Sequence, residues 1–207
     1  MHRLHDDASS GNAYKVRLLL TQLGIPFERV DYDTNHGATR TPDFLATKNP
    51  NGRIPVLELP DGRCLAESNA ILWYLAEGTP FLPFAAGDEG RWDRAQVLHW
   101  MFFEQYSHEP NIATVRNWVS HGLEMTPERT AALPGKRKGG AAALAVMEQH
   151  LRNHTFFVGD RYTIADIALY AYTHVAHEGG FDLAPHEALR AWLARVVAQP
   201  RHLAITE

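Results

Sequence analysis

The chain has 207 residues, of which 45% are hydrophobic and 21% charged, and carries a formal net charge of -4 at pH 7. That balance describes a globular protein and excludes collagenous, coiled-coil and disordered classes, and it lacks the concentrated basic surface that nucleic acid requires. No apolar run reaches the ~20 residues of a membrane span, Met1–Asp7 lacks the apolar core of a signal peptide, and a single cysteine, Cys64, leaves no internal disulfide, CxxC pair or cysteine-based zinc site. The expectation is a protein of a reducing, cytoplasmic compartment with no metal.

In chain order, Arg3-Leu4-His5 reads as a first strand. Ala13, Val16, Leu20 and Leu23 follow at helical spacing, which predicts a helix over 11–23, with Gly24 just past its end and Pro26 blocking continuation. Phe27–Tyr32 reads as a second strand. Thr41-Pro42 opens a short helix through Thr47 as a cap followed by a first-turn proline. Ile54–Leu59, the turn Pro60–Arg63 and Cys64–Ala66 make an antiparallel hairpin. Ser68 is placed to cap a helix from Asn69 to Glu77. The order βαβ, helix, ββα implies a four-stranded mixed sheet flanked by helices over residues 1–77.

Residues 78–90, rich in Gly, Pro and Ala, read as a linker. Residues 91–207 show helical periodicity only. Trp92, Ala95, His99, Phe102 and Tyr106 line one side of a long helix, and Leu144, Met147 and Leu151 mark another. Ile164, Ala168, Ala171 and Val175 mark a third, and Leu189, Trp192, Val196 and Val197 a last one, ended by Pro200. The polar stretch from about Met125 to Gly140, with Lys136-Arg137-Lys138, reads as a solvated loop. The fold class expected is therefore a small α/β domain followed by an all-α bundle.

Three clusters carry possible chemistry. Pro55 inside a strand is either a trans residue at the strand start or part of a cis Ile54-Pro55 bond, which would turn the Ile54 N–H and C=O toward an extended peptide. Glu67-Ser68 is either a plain helix cap or a carboxylate site at a helix N-terminus, with Glu67 available to an ammonium group. Ser9-Ser10-Gly11-Asn12 is either a cap or an anion site on the same principle; it has no G-x-S-x-G setting for a hydrolase. All three lie where strands meet helices in one small domain.

Ser10–Leu18, Asn49–Leu57 and Glu67–Leu75, with Gly159–Ala168 in the second half, together resemble the cytosolic glutathione S-transferases, in particular serine-type bacterial members. The resemblance implies a thioredoxin-like N-terminal domain, glutathione as co-substrate, and a cis bond before Pro55 with the Ile54 backbone pairing to the cysteinyl part. It implies that Glu67 and Ser68 hold the γ-glutamyl end, and that Arg53, or His36 or Lys48 nearby, meets the glycine carboxylate. Ser10 falls where serine-type members face the sulfur with a hydroxyl. Asn12 falls where a branch with disulfide-reductase activity has an asparagine. The loop has no thiol, so the cysteine-type branches are disfavoured.

A transferase of this kind attacks a small electrophile with the glutathione sulfur, a detoxifying conjugation. Glutathione-dependent disulfide reduction or ether cleavage, and a non-catalytic glutathione-binding module, are the alternatives. The acceptor is expected against the long helix, with Trp100, Phe103, Tyr106, His108, Asn111 and Ile112 as candidate lining residues, and a homodimer is expected by resemblance. Thr163–Asp166 fits a capping box. His150 with His154, and His174 with His177, read as surface pairs, and Cys64 as a small buried hydrophobe.

Overall fold

The computed structural model describes residues 1–83 and 87–207. They divide into two compact units, residues 1–79 with 200–207, and residues 80–199. In the first, strands β1 (His2–Asp6), β2 (Phe27–Asp31), β3 (Val56–Glu58) and β4 (Cys64–Ala66) form a sheet in the order β2-β1-β3-β4. β1 and β2 run parallel, and β3 is antiparallel to both β1 and β4. This is the mixed four-stranded sheet expected of the thioredoxin-like fold.

Helix α1 (Gly11–Leu23) is set by its ends. Ser10 accepts from the Ala13 N–H, and Gly24 closes the helix at φ 69, where a side chain would be strained. Thr41 caps α2 (Pro42–Thr47), with Pro42 in the first turn. Helix α3 (Ser68–Ala76) departs from expectation. Its cap residue is Glu67, at φ 68, and Ser68 is already helical. The Ser68 hydroxyl is engaged by side chains of α1 instead.

The first unit also contains residues 200–207, which the sequence grouped with the helical half. They are tied to α1: the Tyr14 hydroxyl donates to the Leu203 carbonyl at 2.6 Å, and Arg17 Nη2 to that of Ile205 at 2.8 Å.

The second unit contains α4 (Gly87–Phe103), α5 (Glu109–Ser120), α6 (Pro127–Leu151), α7 (Ile164–Thr173) and α8 (Glu187–Val197), with a π turn, Glu104–His108, between α4 and α5. Helix α4 begins within the stretch read as a linker, whose residues 84–86 lie outside the described residues. The side that the apolar spacing marked is the exposed one: Trp92, Phe102 and Tyr106 are 63%, 69% and 88% exposed, while Val97, Trp100 and Met101 enter the core. Both faces carry aromatics, so apolar spacing alone could not orient the helix.

The stretch read as a loop from Met125 to Gly140 is mostly helix α6. Thr126 accepts from Arg129 N–H at 3.3 Å, Pro127 sits in the first turn, and Pro134 is accommodated inside the helix. The glycines that suggested a loop are packing devices. A Cβ on Gly139 would lie 2.7 Å from Asn111 Oδ1, and one on Gly140 would overlap the Phe181 ring. Lys136 is not merely solvated, since it donates to the Pro110 carbonyl at 2.7 Å.

The capping box at the start of α7 is present. Asp166, wholly buried, accepts from Thr163 N (2.9 Å), Thr163 Oγ1 (3.2 Å), Phe157 N (3.2 Å) and Trp192 Nε1 (2.9 Å). Burial pushes its carboxyl up to about 6, with these four donors opposing the shift. His150 stacks on His154 and Phe157 instead of standing free, and burial holds its imidazole below the ordinary value. His174 stacks on Tyr170. Cys64 is half-buried, and burial raises its thiol.

Asp166→Ala leaves the buried Trp192 and Phe157 N–H groups without their acceptor. We expect a loss of about 3–5 kcal/mol in urea unfolding; a loss below about 1 kcal/mol would contradict this account of the α7 start.

Candidate functional site

The loop between β1 and α1 is organised by two successive aspartates. Asp6, at the buried end of β1, accepts from Arg17 Nη1 at 2.9 Å and from the Asp7 N–H at 2.7 Å. Asp7 accepts from Ser9 N (3.0 Å), Ser9 Oγ (2.7 Å) and Thr34 Oγ1 (2.6 Å). Burial raises the Asp7 carboxyl, but these hydrogen bonds outweigh it and hold the group below its ordinary value.

The two serines are thereby distinguished. The Ser9 proton is spent on Asp7. Ser10 Oγ accepts from Ala13 N at 3.3 Å, which occupies a lone pair and leaves its proton to donate; that proton has no acceptor among the described residues.

The Ile54-Pro55 bond is cis. The preceding loop is held from outside: Thr39 Oγ1 donates to the Gly52 carbonyl, Arg40 Nη1 to that of Asn51 and Asn49 Nδ2 to that of Arg53, each at 2.9 Å. After the hairpin, Glu67 holds a backbone conformation rare outside glycine, of the kind that persists at ligand sites because the surroundings over-determine it. Ser68 behind it is 5% exposed. Its Oγ accepts from Lys15 Nζ at 3.3 Å and donates to Asn12 Oδ1 at 3.4 Å, so Asn12 and Ser68, singled out separately in the sequence, are joined.

Of the three residues expected near a glycine carboxylate, two are engaged elsewhere. Lys48 Nζ lies 2.5 Å from Glu58 Oε2, and His36 Nδ1 lies 2.6 Å from Asp33 Oδ2. Arg53 is exposed at the end of the stapled loop.

The acceptor candidates also separate. Phe103, Tyr106 and Asn111 line a cavity of about 340 Å³ with Ser107, Gly139 and Val146 among its other walls. Trp100 does not join them, since it packs its ring 4.6 Å from Phe157 and 4.7 Å from His150. His108 is buried with Nε2 2.8 Å from Thr173 Oγ1, and Ile112 lies in the core. Because the Thr173 hydroxyl donates to the Leu169 carbonyl at 2.6 Å, the His108 Nε2–H is the donor of that pair.

Residues 4–77 match the family "Glutathione S-transferase, N-terminal domain" and residues 101–200 match "Glutathione S-transferase, C-terminal domain". The chain belongs to the glutathione S-transferase family. A solved glutathione S-transferase from Pseudomonas fluorescens Pf-5 is 50% identical, aligns with 100% of this chain and 99% of its own, and superposes with a TM-score of 0.92. Ure2p solved in complex with glutathione is 25% identical over 97% of this chain and 91% of its own, with a TM-score of 0.83. The family reaches beyond transferases by name: elongation factor 1-gamma of Artemia salina is 32% identical over 147 residues, 69% of this chain. The chain spans about a third of that relative's length (32%).

Sequence reasoning missed Lys15 and Asp7 as parts of the site. Lys15 stands on the apolar side of α1, where a charge two residues before Arg17 was an available signal; Asp7 could have been found as the acceptor that a Ser9 two residues on would meet.

The Lys48–Glu58 pair gives a pH prediction. Hydrogen bonds from Lys48, then from His5 at 3.0 Å, hold the Glu58 carboxyl down at about 2. A depressed carboxylate contributes stability that is whole above its ordinary unfolded value and lost as pH falls toward the folded one. Wild type should therefore lose stability between the ordinary glutamate range and pH ~2 more steeply than Glu58→Gln in urea unfolding; identical acid limbs would refute the pairing.

Proposed function

We propose that the chain is a glutathione transferase in which Ser10 donates its hydroxyl proton to the glutathione sulfur and so keeps it as thiolate for attack on a small electrophile. The observation that carries this reading is the Ser10 hydroxyl: its oxygen caps α1 and its proton has no acceptor among the described residues. In the same reading the Ile54 backbone pairs with the cysteinyl part, Glu67 and Ser68 hold the γ-glutamyl end, and Arg53 meets the glycine carboxylate. The acceptor is assigned to the cavity lined by Phe103, Tyr106 and Asn111. The thiolate forms a bond to the electrophilic carbon, and the leaving group departs with the bonding pair.

The magnitudes suffice. A thiol near pKa 8.5 is only a few per cent ionised at neutral pH, and lowering it by about two units needs ~2.7 kcal/mol. A hydrogen bond to a charged acceptor supplies about 1.5–3 kcal/mol, and the N-terminus of the helix adds some tenths. No general base is required.

Asn12 supports a second reading. Its carboxamide oxygen is turned toward Ser68, which orients its amide group, and an asparagine facing the sulfur would suit glutathione-dependent disulfide reduction. A non-catalytic glutathione-binding role stands third. The proposal includes a homodimer in a reducing, cytoplasmic compartment. Among the described residues no helix is long and apolar enough to cross a membrane.

Millimolar glutathione should raise the melting temperature; no shift would sink all three readings. With an activated aryl chloride as acceptor, Ser10→Ala should lower kcat/KM by about 10–100-fold at neutral pH, the equivalent of the lost hydrogen bond. Activity kept within twofold in Ser10→Ala but lost in Asn12→Ala would transfer the role to the asparagine.

A further inference from the structure

The geometry points to Lys15 as a positioning residue that selects ligands carrying a γ-glutamyl α-carboxylate. The inference rests on the reading of Glu67-Ser68 as the γ-glutamyl site and deepens it, because Lys15 does not reach the ligand itself. Its side chain lies on α1, is 0% exposed, and gives hydrogen bonds to Ser68 Oγ at 3.3 Å and Asn69 Oδ1 at 3.5 Å, the first two residues of α3.

An ammonium group has protons to give and no lone pair to receive. Its presence therefore fixes the sense of the bonds around it. Ser68 Oγ must accept from Lys15, so the Ser68 proton must leave in another direction, and here it goes to Asn12 Oδ1 at 3.4 Å. The chain Lys15 to Ser68 to Asn12 thus runs from a buried positive charge to an acceptor at the start of α1. A ligand carboxylate arriving at the N-terminus of α3 can take the place of Asn12 as acceptor of the Ser68 proton. A carboxylate is the stronger acceptor, and a donor hydroxyl that is itself receiving from a cation is the stronger donor.

Sealing an ammonium group from water is unfavourable compared with an apolar side chain of similar length. A methionine would fill the same volume between α1 and α3. The ammonium group contributes what a methionine cannot: a donor that occupies a Ser68 lone pair, so that the Ser68 proton stays directed away from Lys15, beside the N-terminal partial charge of α3. Exchange of the Ser68 proton from Asn12 to the carboxylate also releases the Asn12 oxygen from that bond, which links filling of the γ-glutamyl site to a residue two positions after Ser10.

The test is calorimetric titration of the full chain with glutathione, with cysteinylglycine, and with glutathione whose γ-glutamyl α-carboxylate is converted to an amide. Wild type should bind glutathione at least about tenfold more tightly than the amide. Lys15→Met should lose about 10–100-fold in glutathione affinity while its affinity for cysteinylglycine stays within twofold, and Lys15→Arg should recover part of the loss. Equal losses for glutathione and cysteinylglycine in Lys15→Met would mean a merely structural role and overturn the inference. Should Lys15→Met fail to fold, wild type alone decides, because discrimination below twofold between glutathione and its amide overturns it without a variant. Wild type that binds none of the three ligands removes the glutathione-site reading itself, an outcome distinct from binding without discrimination.

Discussion

Asp6 and Arg17 are both fully buried, 2.9 Å apart, and the geometry of the N-terminal unit is built around that bond. Asp6 ends β1 and Arg17 stands in the middle of α1, so the pair clamps the first strand to the first helix. The second Arg17 nitrogen reaches the Ala8 carbonyl at 3.2 Å and the Ile205 carbonyl at 2.8 Å. One guanidinium thereby holds strand, loop and C-terminal segment together. A buried pair of this kind is strongly destabilising to break from one side, by about 3–5 kcal/mol, because the remaining charge has no water. What the pair secures is the path of the loop that carries Ser9 and Ser10.

Within that loop, chemistry is decided by which donors are already committed. Asp7 consumes the Ser9 proton and fixes the loop to Thr34. The α1 cap consumes a lone pair of Ser10 and leaves its proton. Lys15 consumes a lone pair of Ser68 and sends its proton toward Asn12. Two hydroxyls are thus set as donors beside the N-termini of α1 and α3. Donors fixed before a ligand arrives lose little on binding an anion, which is the physical basis of electrostatic preorganisation.

Much of this was legible in the chain because it depends on local rules. Ser10, Gly24 and Pro26 bracket α1, Thr41-Pro42 opens α2, and Thr163 with Asp166 announces the capping box, each through contacts within a few residues. The mixed sheet followed from element order, and the family from four ordered motifs. Illegible were features set by distant packing. Gly139 and Gly140 looked like loop residues until Asn111 and Phe181 were seen to press on them. The exposed side of α4 carries as many aromatics as the buried one, and the π turn at 104–108 shifts the helical phase in the middle of the acceptor candidates, so His108 turns inward while Tyr106 is exposed. Residues 200–207 carry no motif, and their place beside α1 is revealed by contacts to Tyr14 and Arg17, from the Leu203 and Ile205 carbonyls and the His202 ring. At the site, the sequence supplied Ser10, Asn12 and Ser68 as names, whereas the direction of their hydrogen bonds, set by Asp7 and Lys15, required the fold.

The central claim is that this arrangement stabilises a thiolate. It is tested most directly by titrating the ultraviolet thiolate absorbance of bound glutathione against pH. The account predicts an apparent pKa about two units below the roughly 8.5 of an ordinary thiol. A bound thiol that titrates at the ordinary value would contradict it.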